Sequence, residues 1–172
     1  MNFDSNTPEE EKDLAETPAW FVSALEQYLG NKFTLDVCAL AQTAKCDNYY
    51  SLARDQNAMD LPWGARNFCN PPYSNIAPWV TKAANQSQNG KITALLIPDK
   101  PEVGYTRLCR VFADTMIHMP FRLKFLRPDG TPFLDKNGKE SGPKFPVMVV
   151  LFTPWGIQMP VRDVYFDFRK LR

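Results

Sequence analysis

The chain is poor in the residues that hold metals. It has one histidine, His118, and four cysteines, Cys38, Cys46, Cys69 and Cys109, none in a C-x-x-C pair. We therefore expect no metal site, and the thiols read as buried, inert groups in a reducing compartment. No apolar run approaches the roughly 20 residues of a membrane span. The polar, acidic start lacks the apolar core of a signal peptide. These absences point to a cytoplasmic protein without membrane contact. Glycine is scarce, 8 residues against 15 prolines, and none lies between Gly30 and Gly64. A glycine-rich cofactor loop is thus missing from that stretch. Net charge is nearly missing too, at +1 over 172 residues, which taken as a total speaks against a polyanionic partner.

What is present suits a folded protein. Hydrophobic residues make up 44% and charged residues 23%, which excludes wholesale disorder and low-complexity architecture. The length suits one domain with its own core. The small total charge hides a division. Residues 1–86 carry 6 Lys/Arg and 11 Asp/Glu, whereas residues 87–172 carry 14 and 8. An acidic half followed by a basic half is compatible with a polyanion-binding face confined to one part.

Residues 1–16 read as an acidic arm, mobile at its start. Thr17 and Pro18 can open a helix in which Trp20, Phe21, Ala24, Leu25 and Tyr28 follow helical spacing, with Gly30 ending it. Residues 33–39 (FTLDVCA), 48–52 (NYYSL) and 67–70 (NFCN) read as short strands, and 91–98 (KITALLIP) as a central one. Residues 77–88 and 104–112 read as helices, 115–119 as a strand, and 145–152 (FPVMVVLF) as a last apolar strand. Between these two strands, residues 121–144 carry turn signals and many cations, and 161–172 read as a C-terminal tail. Strands alternating with helices predict an α/β sandwich with a mostly parallel sheet. The last strand follows a hairpin-like segment and is expected to run antiparallel. Trp63, Trp79 and Trp155 read as core residues.

The most specific feature is Asn70-Pro71-Pro72-Tyr73, placed directly after a short apolar strand. Open α/β sheets bind their ligands at the carboxyl ends of strands. Two prolines stiffen the loop and remove two N–H donors. Asn70 adds a carbonyl acceptor and Tyr73 an aromatic face. This combination suits a flat heterocycle with an exocyclic amino group.

NPPY resembles the catalytic motif of S-adenosylmethionine-dependent amino-methyltransferases. The ordered series TPAW, FTLDVCA, NAMDLPWG, FCNPPYSNIAPWV, KITALLIP and FPVMVVLF resembles the phage-type DNA N-6-adenine methyltransferase (Dam) family over roughly residues 17–155. That resemblance implies a Rossmann-like methyltransferase fold with a catalytic domain over 17–160, S-adenosyl-L-methionine as cofactor and double-stranded DNA as substrate. It implies that Asn70, Pro71, Pro72 and Tyr73 act on the target amino group, with Tyr73 stacking on a flipped base. It implies cofactor contacts from Thr17, Pro18, Trp20, Asp36, Cys38, Ala39 and Asn70. Asp60 resembles the acid that accepts from the cofactor's adenine amino group, and Asp55 is a candidate for its ribose. Ala39 and Ala41 are the small residues available where glycines are missing. Residues 121–144 become the candidate DNA-reading hairpin, with Arg122, Lys124, Arg127, Lys136, Lys139 and Lys144, extended by Arg107 and Arg110. NPPY also serves amino groups in RNA bases and protein glutamine, so those substrates remain open, as does a catalytically silent DNA-binding paralogue. For the oligomeric state, a monomer and a weak homodimer are both compatible with the sequence.

Overall fold

The computed structural model describes residues 13–155 and 160–172. In chain order its elements are α1 (Ala19–Leu29), β1 (Leu35–Asp36), β2 (Arg66–Cys69), α2 (Ala77–Gln88), β3 (Ile92–Pro98), α3 (Gly104–Phe112), β4 (Thr115–His118), β5 (Val147–Phe152) and β6 (Arg162–Tyr165). Single 3-10 turns occur at Leu52–Arg54 and Phe168–Leu171. The strands form one sheet in the order β1-β2-β3-β5-β4-β6. β1, β2 and β3 run parallel, as do β4 and β6, while β5 is antiparallel to both of its neighbours. This is the Rossmann-like α/β arrangement that the sequence predicts. β5 reverses because the chain reaches it through residues 119–146 without a crossover helix, and parallel neighbours need a crossover.

β3 and β5 are apolar on both faces, because both faces of the sheet are covered. Ala94 and Leu96 of β3, with Val147, Val149 and Leu151 of β5, face one layer. There they meet Phe21, Val22, Ala24 and Leu25 of α1 and, from the connecting segment, Leu123, Phe125 and Phe133. Leu95 and Ile97, with Met148, Val150 and Phe152, face the other layer, made by Val80, Ala83 and Ala84 of α2 and Cys109 of α3. The one-residue alternation between these sets is the period-2 geometry of a strand.

The helices lie where the sequence pattern puts them, but their ends differ in mechanism. Pro18, not Thr17, is the N-cap of α1, and no side chain caps it. Thr17 is buried instead. Gly30 ends α1 in the left-handed conformation (φ 70°), its N–H reaching the Gln27 carbonyl and the Asn31 N–H reaching that of Glu26. FTLDVCA contributes only two residues of regular strand, because after Asp36 the chain turns to form a loop. NYYSL forms a single bridge, Tyr49 to Asp36, before the turn at Leu52–Arg54. Cys69 and Cys109 are buried and all four cysteines are free; burial pushes the Cys109 thiol up to about 12. Trp155 lies exposed rather than in the core.

The segment read as a tail is part of the fold. β6 pairs with β4 along Thr115–His118. His118 joins it from inside, with Nδ1 at 2.6 Å from Asp99 Oδ2 and Nε2 at 3.0 Å from Asp163 Oδ1. Arg110 donates two hydrogen bonds to the same Asp163 carboxylate. Beyond β6, Phe168 is fully buried between Phe21, Tyr28 and Phe166. The sequence concealed this because half of residues 161–172 are charged, and the apolar alternation at Val164, Phe166 and Phe168 is too short to separate an edge strand from a tail. Replacing Phe168 by Ala is expected to lower unfolding free energy by about 3–5 kcal/mol. Urea titration of both proteins checks this; a change within measurement error would mean that the segment is not docked.

Candidate active site

The carboxyl ends of the parallel strands β1, β2 and β3 share one edge of the sheet, and Asn70 follows directly on β2. A cleft of about 220 Å³ opens beside it. Asn70 and Pro72 line the cleft, and Pro71 is buried behind them. The Asn70 amide donates from Nδ2 to the Ala15 carbonyl at 3.2 Å. Its Oδ1 is buried and has no hydrogen-bond partner among the described residues. A carbonyl can only accept, so Ala15 dictates which way the amide faces and leaves Oδ1 as an unmet acceptor.

Ala15 belongs to a strap that the sequence reading treated as the end of an acidic arm; residues 1–12 of that arm lie outside the described residues. Asp13 accepts from the Tyr73 N–H at 3.1 Å and from the Ser74 hydroxyl at 2.7 Å. Glu16 exchanges backbone hydrogen bonds with Leu126 and its carboxylate pairs with Lys45. The strap thus joins the NPPY loop to the basic segment, and residues 13–17 form one wall of the cleft. No hydrophobic period marks such a segment, so sequence patterning passes over it.

Tyr73 is held inward. Its hydroxyl donates to the Leu96 carbonyl at 3.3 Å, and its ring meets Phe125 edge-on at 6.1 Å and Phe145 at 6.2 Å. It is absent from the cleft lining. The expected aromatic face is therefore turned into the protein in this conformation.

The second wall begins at Asp36, which is 2% exposed. Its carboxylate accepts from the backbone N–H groups of Cys38 at 3.2 Å and Lys45 at 3.1 Å. Inside this clasp, Leu40 N–H bonds the Thr43 hydroxyl, and the Thr43 and Ala44 N–H groups both reach the Leu40 carbonyl. The loop closes with no positive φ, since among the described non-glycine residues only Asp55 has one. That is how the chain does without glycines here. Cys38 and Ala39 line the cleft; Ala41 does not. Burial raises the Asp36 carboxyl from 3.8 to about 6, against the lowering effect of the two backbone bonds and of Lys45.

The third wall is formed by the stretch from Tyr50 to Ala58, facing Trp79. Here the acids expected from sequence stand aside. Asp55 is an exposed turn residue with φ 56°, and Asp60 is exposed, its carboxylate accepting from Asn57 Nδ2 at 2.7 Å. Gln56, between them in sequence, lines the cleft instead. Charge drew the sequence reading to its neighbours. Thr17 lines the cleft too, whereas Pro18 and Trp20 do not; Trp20 lies against Phe121 and under the Arg172 guanidinium. The lining includes three carboxylates, Asp13, Glu16 and Asp36, and one ammonium, Lys45.

Residues 121–144 form two tight turns. Leu126 bridges Pro132 and Leu134 bridges Glu140. Leu123, Phe125 and Phe133 are buried, so the alternating Arg122 and Lys124 face solvent. Lys136, Lys139 and Lys144 are also exposed. Lys124 pairs with Glu140 at 3.1 Å across the turn. Arg127 lies over the Phe133 ring, with its Nε buried. Of the two α3 cations, Arg107 is exposed and Arg110 is committed to Asp163.

Residues 4–164 match the family model described as DNA N-6-adenine-methyltransferase (Dam). A DNA N-6-adenine-methyltransferase of Haemophilus phage HP1 is 31% identical over 172 residues, spanning 98% of this chain and 94% of that protein. A second protein so named, from Escherichia phage T1, is 33% identical over 105 residues, spanning 59% of this chain and 43% of its own length.

The buried Asp36 carboxyl makes stability depend on pH. Its folded value, about 6, lies above the ordinary 3.8. Between these values the folded chain keeps a proton that the unfolded chain releases, so stability falls as pH rises from about 4 to 6 and levels off above. Asp36→Asn should remove that slope, gaining on the unaltered protein by on the order of 2–3 kcal/mol across the window. Urea unfolding of both proteins at a series of pH values measures the difference; parallel pH profiles would refute the assignment.

Proposed function

The chain belongs to the DNA N-6-adenine-methyltransferase (Dam) family, and we propose that it transfers a methyl group from S-adenosyl-L-methionine to the exocyclic N6 amino group of adenine in duplex DNA. The observation that carries this reading is the buried, unmet Asn70 Oδ1 at the carboxyl end of β2. A carbonyl oxygen there can accept from an amino group. The Pro71 carbonyl, next along the stiff loop, is the second proposed acceptor.

The cleft lining fits the cofactor. When bound, S-adenosyl-L-methionine supplies an electrophilic methyl carbon on a sulfonium. Asp13, Glu16 and Asp36 give the lining a carboxylate excess suited to a cation, and Asp36 holds the Cys38–Lys45 loop in place through its two backbone bonds. The walls from Tyr50 and Trp79 suit a flat ring.

The chain's own part in the chemistry is positioning and electrostatics. An aromatic amine is a weak nucleophile because its lone pair is delocalised into the ring. Two acceptors at Asn70 and Pro71 draw its N–H bonds out of the ring plane and favour the positive charge that develops on nitrogen. The Ala15 carbonyl keeps Asn70 from presenting its own NH2 instead. An adenine inside a duplex must leave the stack to reach such a site. For Tyr73 to stack on it, the hydroxyl has to give up the Leu96 carbonyl. The exposed cations of the two-turn segment are the proposed contacts to DNA phosphates. The phage origin of the relatives supports the cytoplasm of a bacterial or phage-infected host cell as the place of the reaction.

Separate incubations of methyl-labelled cofactor with unmethylated duplex DNA, with RNA and with protein, followed by digestion, should yield labelled N6-methyl-2′-deoxyadenosine from the DNA. Label appearing only in RNA or protein would overturn the DNA assignment, and cofactor binding without label would favour the silent paralogue. Asn70→Ala should reduce the rate by about a hundredfold or more while the protein stays folded. Charge removal at Arg122 and Lys124 together should weaken DNA binding and lower the slope of log affinity against log salt by up to about 2. An unchanged slope would remove both from the interface.

A further inference from the structure

Asn70 is not alone among the cleft-lining residues in holding a buried, unmet acceptor. Gln56 also lines the cleft, and its Oε1 is buried without a hydrogen-bond partner among the described residues. The main chain holds the residue in place, since its N–H donates to the Ser51 carbonyl at 3.1 Å and closes the turn that begins there. Buried acceptors in folded proteins are ordinarily met, and one left open at a cleft wall is met when a donor arrives. Around Gln56 the wall is apolar and aromatic, with Leu52, Ala53, Ala58, Tyr50 and Trp79. Such a wall suits the flat part of a ligand that carries one polar hydrogen to satisfy.

The carboxylates of the lining are already engaged. Asp13 is taken by Tyr73 and Ser74, Glu16 by Lys45, and Asp36 by two backbone N–H groups. Asp60, which resembles the family's acidic acceptor, is exposed and bonded to Asn57. Resting on the methyltransferase reading above, we infer that Gln56 Oε1 accepts a hydrogen bond from the exocyclic amino group of the cofactor's adenine. A neutral amide takes the place of an acid. With Oε1 toward the ligand, the contact favours adenine over its deaminated form, because an acceptor facing a carbonyl oxygen is left unpaired, and discrimination is lost to the extent that the amide turns its NH2 to that oxygen.

The test is calorimetric titration of the full chain with S-adenosylhomocysteine and with S-inosylhomocysteine, which carries oxygen in place of the amino group. Gln56→Leu keeps similar bulk but no acceptor. It should weaken adenosyl binding about tenfold and bring the two ligands to nearly equal affinity. Gln56→Glu keeps the acceptor and cannot turn a donor toward the inosyl oxygen. It should hold adenosyl affinity within about threefold of the unaltered protein and discriminate at least as well. If Gln56→Leu binds S-adenosylhomocysteine like the unaltered protein, the inference falls while the methyltransferase reading stands. A tenfold loss in Asp60→Asn with none in Gln56→Leu also overturns it and returns the role to the acid. If the unaltered protein binds neither ligand, the methyltransferase reading fails as well. Circular dichroism melts of each variant verify that the comparison is between folded proteins.

Discussion

The Asn70 amide has two polar ends, and the protein satisfies one of them. Its Nδ2 is spoken for by the Ala15 carbonyl, and its Oδ1 is left buried and open. The rest of the site is arranged to sustain that imbalance. β2 carries Asn70 to the edge of the sheet, two prolines stop the loop from relaxing, and the strap at 13–17 supplies the carbonyl. The strap is held in turn by Asp13 on the NPPY loop, by Leu126 on the basic segment and by Lys45 on the Asp36 loop. Three separate parts of the chain therefore meet around one side chain. An unpaired buried acceptor is unfavourable in the free protein, and a rigid surround is what prevents it from finding a partner of its own.

Electrostatics divides the molecule in the same way. The strap and the Asp36 loop bring carboxylates to the cleft. The two-turn segment directs Arg122, Lys124, Lys136 and Lys139 outward while Leu123, Phe125 and Phe133 anchor it to the core. The nearly neutral total is the sum of two regions of opposite charge. Burial of Asp36 has a stability cost near neutral pH, and its two backbone bonds show what that carboxylate does: it holds the loop from Cys38 to Lys45 closed without a glycine.

Much of this was legible beforehand where local rules operate. α2, α3, β3 and β5 follow from hydrophobic period and turn residues, and NPPY announced a stiff, acceptor-rich loop at a strand end. Legibility failed where a residue's neighbour is distant in sequence. Asp13 meets Tyr73 and Ser74 some sixty positions away. The edge strand β6 depends on pairing with β4 and on the His118–Asp163 contact, neither of which leaves a periodic mark. Gln56 and Asp60 lie four residues apart, and the turn at Leu52–Arg54 selects the neutral one for the cleft wall.

The sequence by itself determined the alternation of strands and helices, the stiffness and acceptor content of the NPPY loop, the charge division, and the resemblance that ties them to adenine methylation. These are properties of residue type and short spacing, and they survive without knowledge of contacts. Tertiary structure alone decided which end of the Asn70 amide stays open, that Tyr73 points inward, that Asp36 clasps a loop, and that Gln56 rather than Asp60 lines the cleft. Each of those depends on which carbonyl, ring or amide lies within a few ångströms, and that is set by packing across the sheet.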